Sequence, residues 1–257
     1  MLTLTKQELF KLMKKRSTWI TTIIMLISQI VIAVWAKNSP KLFDAKSMFL
    51  SQFFASYWYV FFLIAAAATI ITMEFQYGTI KQVLYRKYYR GEVLVSKWLT
   101  VFLYSIYWVA LSWIMSLLLW AVLFADKIDL SSKISPGVSL LRGSVESTGS
   151  SLLTLWLLLS MVFLLANIFK SSAVAVSVGI VGYFVTSFLN SFLVLLIQKW
   201  EWVKWNPLTM LLYPNVILDD SYAKMAKLTA TQLFCGNVVW IVIFLGLGYW
   251  VFKKRSV

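Results

Sequence analysis

Histidine is absent from the 257 residues, cysteine occurs once, and charged side chains make up only 13% of the chain. Without histidine there is no ordinary haem ligation, no usual zinc site and no imidazole general base. Cys235 alone can form neither an internal disulfide nor a cysteine metal cluster. A P-loop is also missing. It requires Gly-x-x-x-x-Gly-Lys followed by Ser or Thr, and none of the ten glycines precedes a lysine. No catalytic residue, metal ligand or resident cofactor is therefore expected, and any ATP chemistry must belong to a separate chain. A soluble domain is about one quarter charged. Here the deficit is matched by a 60% hydrophobic composition, which predicts an all-α integral membrane protein occupying 1–257 as one transmembrane domain.

A helix crosses the roughly 30 Å hydrocarbon layer with about 20 apolar residues. Six stretches qualify, at about Ser17 to Ala36, Phe53 to Met73, Leu99 to Phe124, Ser150 to Phe169, Ser172 to Ile197 and Phe234 to Phe252, and none contains Asp, Glu, Lys or Arg. Basic residues are retained on the cytoplasmic side during insertion. Lys6, Lys11, Lys14, Lys15 and Arg16 precede the first stretch, while Lys253, Lys254 and Arg255 follow the last. Both termini are thus expected in the cytoplasm. With six spans, the inner segments carry a net charge of about +11 and the outer ones about +3, out of +14 in total. The charge excess reads as topology, and no basic domain is long enough for nucleic-acid binding.

No cleaved signal peptide is expected, because Met1 to Arg16 is too long and too charged. On a helical wheel Leu2, Leu9, Phe10, Leu12 and Met13 gather on one side and Gln7, Lys11, Lys14 and Lys15 on the other, with Lys6 intruding on the apolar side. This predicts an amphipathic helix over 1–16 lying in the inner leaflet among membrane lipids. Trp19, Trp35, Trp98, Trp120 and Trp250 fall near predicted span ends, where an amphipathic ring suits the headgroup layer. Trp200, Trp202 and Trp205 cluster in the segment 198–233, predicted to lie on the outer interface or to dip into it.

An ionisable group inside the membrane costs at least about 2.5–3.5 kcal/mol and is retained where it works. The predicted spans hold none. This disfavours proton-coupled carriers, membrane proteases and haem cytochromes, and it means that energy for transport must come from outside the spans.

The predicted cytoplasmic loop 74–98 is the most informative segment. Ile80, Val83 and Leu84 share a helical face, and so short an amphipathic helix needs a membrane surface or a partner to cover it. Glu74, Gly78, Thr79, Lys81, Leu84, Arg90 and Lys97, in this order and spacing, resemble the signature of the ABC-2 type permeases, the membrane subunits of one class of ATP-driven exporters. Glu8, Leu9, Lys11 and Leu12, ahead of a basic run and Trp19, are also similar to that family's first helix. The resemblance extends over the chain in length and topology, and its specific motif covers about a tenth of it.

The resemblance implies that this loop is a coupling helix seated in an ATPase groove, with Glu74, Gly78, Thr79, Lys81, Leu84, Arg90 and Lys97 as coupling residues. It further implies two ABC ATPase subunits that use ATP and Mg, a second permease, identical or paralogous, and a multi-pass location in the bacterial cell membrane. Short permeases of this kind occur in the export of, or immunity to, bacteriocins, lantibiotics and bacitracin-like peptides. Independently of the resemblance, Ser172, Ala175, Gly179, Gly182, Thr186 and Asn190 recur at spacings of three and four on the fifth predicted span. Such a stripe permits close helix packing. By similarity to exporters whose second and fifth spans surround the pathway, it is also a candidate pathway or dimer interface. The alternative from another class is a non-transporting immunity or sensor subunit, binding a peptide through the outer segment from Lys199 to Thr231 with its tryptophans, Asp219 and Asp220.

Overall fold

The computed structural model describes residues 1–77, 89–135, 138–169 and 171–254, without the side chains of Glu74, Phe75, Arg90, Ser135, Thr186, Ser187, Asn190, Ser191 and Asp220. In chain order the elements are α1 (Leu2–Lys14), α2 (Arg16–Asn38), α3 (Ala45–Leu50), a single turn at Gln52–Phe54 and α4 (Ala55–Gln76). Next come α5 (Arg90–Leu123), the short strands β1 (Lys133–Ser135) and β2 (Val138–Ser139), α6 (Leu140–Ile168) and α7 (Ser172–Lys199). A 3-10 turn at Glu201–Trp205, α8 (Pro207–Met210), α9 (Tyr213–Leu218), α10 (Asp220–Ala226) and α11 (Ala230–Lys254) complete the chain.

Among the described residues five helical stretches are long and apolar enough to cross a membrane: Arg16–Asn38, Gln52–Met73, Gly91–Leu123, Leu140–Ile168 and Ala230–Lys254. The predicted fifth span lies in α7, a continuous helix of 28 residues that is roughly 42 Å long at 1.5 Å per residue. Two predicted spans start much earlier than their apolar runs. The third begins at Arg90 instead of Leu99, because the Glu92 carboxylate accepts from the Tyr89 backbone N–H (3.1 Å) and caps the helix there. The fourth begins at Leu140 instead of Ser150, where the Ser139 hydroxyl accepts from the Arg142 N–H. Trp98 therefore sits about two turns inside α5 rather than at its end. It lines an apolar groove of about 560 Å³ with Phe102, Trp156 and Leu245.

α4 and α6 form the centre of the bundle. On α4, Tyr59, Leu63, Ile64, Ala67, Ala68 and Ile71 are buried at helical spacing, and they meet Trp108 of α5, Leu159 and Phe163 of α6, and Ala175 of α7 in one core. Trp156 of α6 donates its indole N–H to Ser105 Oγ of α5 at 3.1 Å.

Terminal helix α1 crosses beneath α5. Thr18, just past the Lys15 kink, donates to the Leu12 carbonyl at 2.6 Å and is also hydrogen-bonded to the Tyr104 hydroxyl at 3.0 Å. The packed face of α1 is Leu4, Thr5 and Leu12, with Leu9 and Met13 partly covered. Leu2 and Phe10, assigned by the wheel to the same face, point outward, Phe10 at 63% exposure. One side of α1 thus belongs to the bundle while an apolar pair on the other is available to lipid.

At the end of the bundle away from the termini, Gln52, Phe53 and Phe54 all take positive φ values (54°, 48° and 62°). Left-handed backbone costs a non-glycine residue roughly 1–2 kcal/mol, so surrounding contacts must hold this turn. Gln29 of α2 donates Nε2–H bonds to the carbonyls of Gln52 and Ser112, each at 3.1 Å. The Gln52 side chain accepts from Ser112 Oγ (2.7 Å) and donates to Thr148 Oγ1 (2.8 Å). Phe53 is buried against Phe124. Gln29→Leu is expected to lower stability by about 1–2 kcal/mol, since it strips bonds from a buried carbonyl on a strained turn. A thermal melt of the purified chain in detergent checks this.

The segment 200–228 dips into the bundle. The Asn206 side-chain oxygen accepts from the N–H groups of Leu208 (2.7 Å) and Thr209 (3.0 Å), and Pro207 fixes the first helical position of α8. Met210, Leu212 and Val216 then pack with Leu157, near the middle of α6, and with Leu233 of α11. Asn237 of α11 donates to the Met210 carbonyl at 3.0 Å, and Gly236 leaves room for the Met210 side chain. Trp200, Trp202 and Trp205 remain exposed, and Trp240 donates to the Trp205 carbonyl at 2.8 Å.

Candidate functional site

The residues around the predicted coupling loop converge at the end of the bundle that carries the termini. α4 ends at Gln76 and α5 begins at Arg90. Gly78, Thr79, Lys81 and Leu84 lie outside the described residues, as do the side chains of Glu74 and Arg90. The two flanks of the loop are well defined.

Lys97 is the central residue of this junction. Its side chain is only 2% exposed, and Nζ donates to the Ile70 carbonyl of α4 at 2.7 Å. That carbonyl has two lone pairs, so it can accept from the lysine as well as within its helix. Nζ also lies 3.8 Å from Glu8 Oε2 of α1, while Glu8 Oε1 pairs with the exposed Lys11 at 2.6 Å. A lysine expected to meet a partner chain is instead enclosed by its own chain, linking α1, α4 and α5. Thr100, one turn further along α5, donates to the Thr5 carbonyl of α1 at 3.4 Å and to the Ser96 carbonyl at 2.8 Å.

Other helices brace the same flanks. Ser172 Oγ, at the start of α7, donates to Gln76 Oε1 at 3.0 Å. Gly91, in the first turn of α5, lies against the Tyr249 ring of α11, where an added Cβ would stand 2.9 Å from the phenol oxygen. Displacement of the segment between Gln76 and Arg90 would therefore be delivered directly to α1, α4, α5, α7 and α11. The described flanks of this segment are thus in contact with five helices.

The small-residue stripe on α7 divides in two. Ala175 is buried in the core, and Gly179 is wedged between Ile64 of α4 and Val162 of α6. These two positions, like Ser172, serve contacts within the chain, so the expectation that they line a pathway or a dimer interface is corrected for them. Gly182 has open space where a side chain would be. The side chains of Thr186 and Asn190 lie outside the described residues.

Sequence reasoning missed Tyr59, and it named Glu8 only for the likeness of the first helix and not as a partner of Lys97. Glu8 carried a signal, since it is the only acid before Asp44. Asp219, a candidate peptide contact, is the N-cap of α10: its carboxylate accepts from the Ser221 N–H at 2.8 Å, which holds it below the usual carboxylate range.

A family model matches residues 20–257, nearly the whole chain. The chain belongs to the DUF2705 family. That family is described as a protein of unknown function. This DUF2705 chain is 31% identical over 198 residues to "Uncharacterized membrane protein YdbK" of Bacillus subtilis strain 168, covering 76% of each chain. It is 28% identical over 211 residues to "Uncharacterized protein YhcI" of the same organism, covering 76% of this chain and 64% of that one. With its apolar helices and a relative named as a membrane protein, the DUF2705 chain is an all-α membrane protein.

Proposed function

We propose that this chain is the six-span permease subunit of an ATP-driven exporter of the ABC-2 type. It sits in the bacterial cell membrane with both termini cytoplasmic and pairs with a second permease, identical or paralogous. Two separate ABC ATPase subunits hydrolyse ATP with Mg, and the cargo is amphipathic, a peptide or antimicrobial. The observation that carries this reading is the junction around Lys97. α4 ends at Gln76 and α5 begins at Arg90 where α1, α4, α5, α7 and α11 are tied together by Lys97, Ser172 and Gly91. A loop so connected transmits force to most of the bundle, which is what an external motor requires. The apolar runs predicted from the sequence hold no Asp, Glu, Lys or Arg to couple transport to a proton gradient, which supports the same reading.

Lys81→Glu combined with Arg90→Glu tests it. The doubly reversed chain should insert and melt like the parent, fail to co-purify with the ATPase encoded beside it, and lose cargo-stimulated ATP hydrolysis in proteoliposomes by at least roughly tenfold. A parent chain that captures no ATPase would refute the proposal. Peptide binding to the lone chain without cargo movement would favour the immunity or sensor alternative.

A further inference from the structure

At the end of the bundle opposite the termini, two adjoining cavities of about 380 and 270 Å³ form one cleft between α4, α6 and α9. Ser56, Tyr59, Ser151 and Asn215 line both lobes. Asn215 stands exposed at the rim, while Tyr59 and Ser147, only 2% and 6% exposed, form the floor. Taken as one cleft, the two lobes fall within the size range of small-molecule sites.

Some of the polar groups near this cleft are already committed. Gln52 bonds Ser112 and Thr148, and Thr154 bonds back to the Ser150 carbonyl. In contrast, the side chains of Ser56, Tyr59, Ser147, Ser151 and Asn215 make no hydrogen bond to any described residue. The Tyr59 and Ser147 hydroxyl oxygens are not among the enclosed polar atoms of the chain, so they open onto this space and are available to a ligand. No Asp, Glu, Lys or Arg among the described residues lines either lobe.

We propose that this cleft binds an uncharged sugar unit. Serine and tyrosine hydroxyls each donate and accept, as sugar hydroxyls do, and the Asn215 amide adds a carbonyl acceptor and two N–H donors. Tyr57 and Tyr183 on the walls of the smaller lobe offer electron-rich ring faces to the weakly positive C–H groups of a pyranose. An ionic ligand would be desolvated with no opposite charge to meet it. A peptide strand would need a sheet edge to extend, whereas α4, α6 and α9 spend their backbone groups within their own helices. The site requires no ATPase and stands apart from the coupling junction.

The test uses the full chain in phosphatidylcholine nanodiscs. Maltose is titrated as the soluble probe, and glucosyl-diacylglycerol, dioleoylglycerol and phosphatidylglycerol are compared as lipid adducts by native mass spectrometry. Saturable binding of maltose, of the glucosyl lipid or of both is expected, the pattern telling a free saccharide from a glycolipid. Tyr59→Phe removes one oxygen and keeps the ring. It should weaken binding roughly tenfold with an unchanged melting midpoint, and Asn215→Leu at the exposed rim should act in the same direction. Absence of sugar binding, equal retention of dioleoylglycerol, displacement by phosphatidylglycerol, or a Tyr59→Phe chain that binds like the parent would overturn the assignment.

Discussion

Lys97→Glu is expected to destabilise the folded chain by about 3–5 kcal/mol, the usual cost of breaking a buried charge pair from one side. The new carboxylate would face the Ile70 carbonyl and Glu8, which now accept from or attract the lysine at 2.7 and 3.8 Å. It would thus be buried among acceptors, with a like charge beside it. Lys97→Met keeps most of the apolar stem and removes the charge. Glu8 would retain Lys11 at 2.6 Å, so the expected loss falls to about 1–2 kcal/mol. Lys11→Met supplies the control, because that side chain is 68% exposed and an exposed ion pair contributes at most about 1 kcal/mol. The three midpoints, followed by size-exclusion after heating, should rank Lys11→Met, Lys97→Met, Lys97→Glu from mildest to most severe. If Lys97→Glu melted like Lys11→Met, Lys97 would be a surface residue after all. The same series reports on α1, since this link fastens it to the bundle: protease cleavage near Lys14 and Lys15 should speed up in the order of destabilisation.

That experiment bears on how far function could be read from residue types. Position in the chain marked Lys97 as functional, but its burial was invisible, because a lysine near a basic segment reads as a cytoplasmic surface charge. Only the packing of α1 and α4 against α5 brings Glu8 and Ile70 to it. Five of the six predicted spans were legible from uninterrupted apolar runs. Their ends were not, since Glu92 and Ser139 prolong α5 and α6 beyond the apolar stretch through hydrogen bonds that hydropathy does not register. The left-handed turn at Gln52–Phe54 had no local signal, as none of its residues is glycine or asparagine. It is held by Gln29, Ser112 and Thr148 from three other helices. The hydroxyl-lined cleft is equally a product of tertiary packing, assembled from serines and tyrosines that each look unremarkable in sequence. Segment 200–228 was half legible. Asn206 and Pro207 signal a helix start, yet its descent to the level of Leu157 depends on Gly236 and Asn237 of α11 making room and a bond for Met210.

Gly179 and Gly182 occupy the same predicted stripe and should respond oppositely to the same substitution. A Cβ at Gly179 would stand 2.7 Å from Ile64 Cγ2 and 3.3 Å from Val162 Cγ2. Both neighbours are β-branched, with one strongly preferred rotamer in a helix, so neither can swing aside. Separating α7 from α4 and α6 is the remaining response. Gly179→Val is therefore expected to lower stability by about 3 kcal/mol, the upper end of ordinary overpacking. At Gly182 nothing lies within 4 Å of the added atom, and valine is a slightly better helix former than glycine. Gly182→Val should melt within about 0.5 kcal/mol of the parent. The pair also separates two roles of the stripe. If α7 meets a second permease, the open ground at Gly182 belongs to that contact, and Gly182→Trp should reduce cross-linked dimer in membranes while the chain stays folded. Gly179→Val should instead lower folded protein and dimer in parallel, because its crowding is inside one chain. A Gly182→Trp chain that dimerises fully would remove this face of α7 from the proposed assembly and leave close packing on α4 and α6 as the whole function of the stripe.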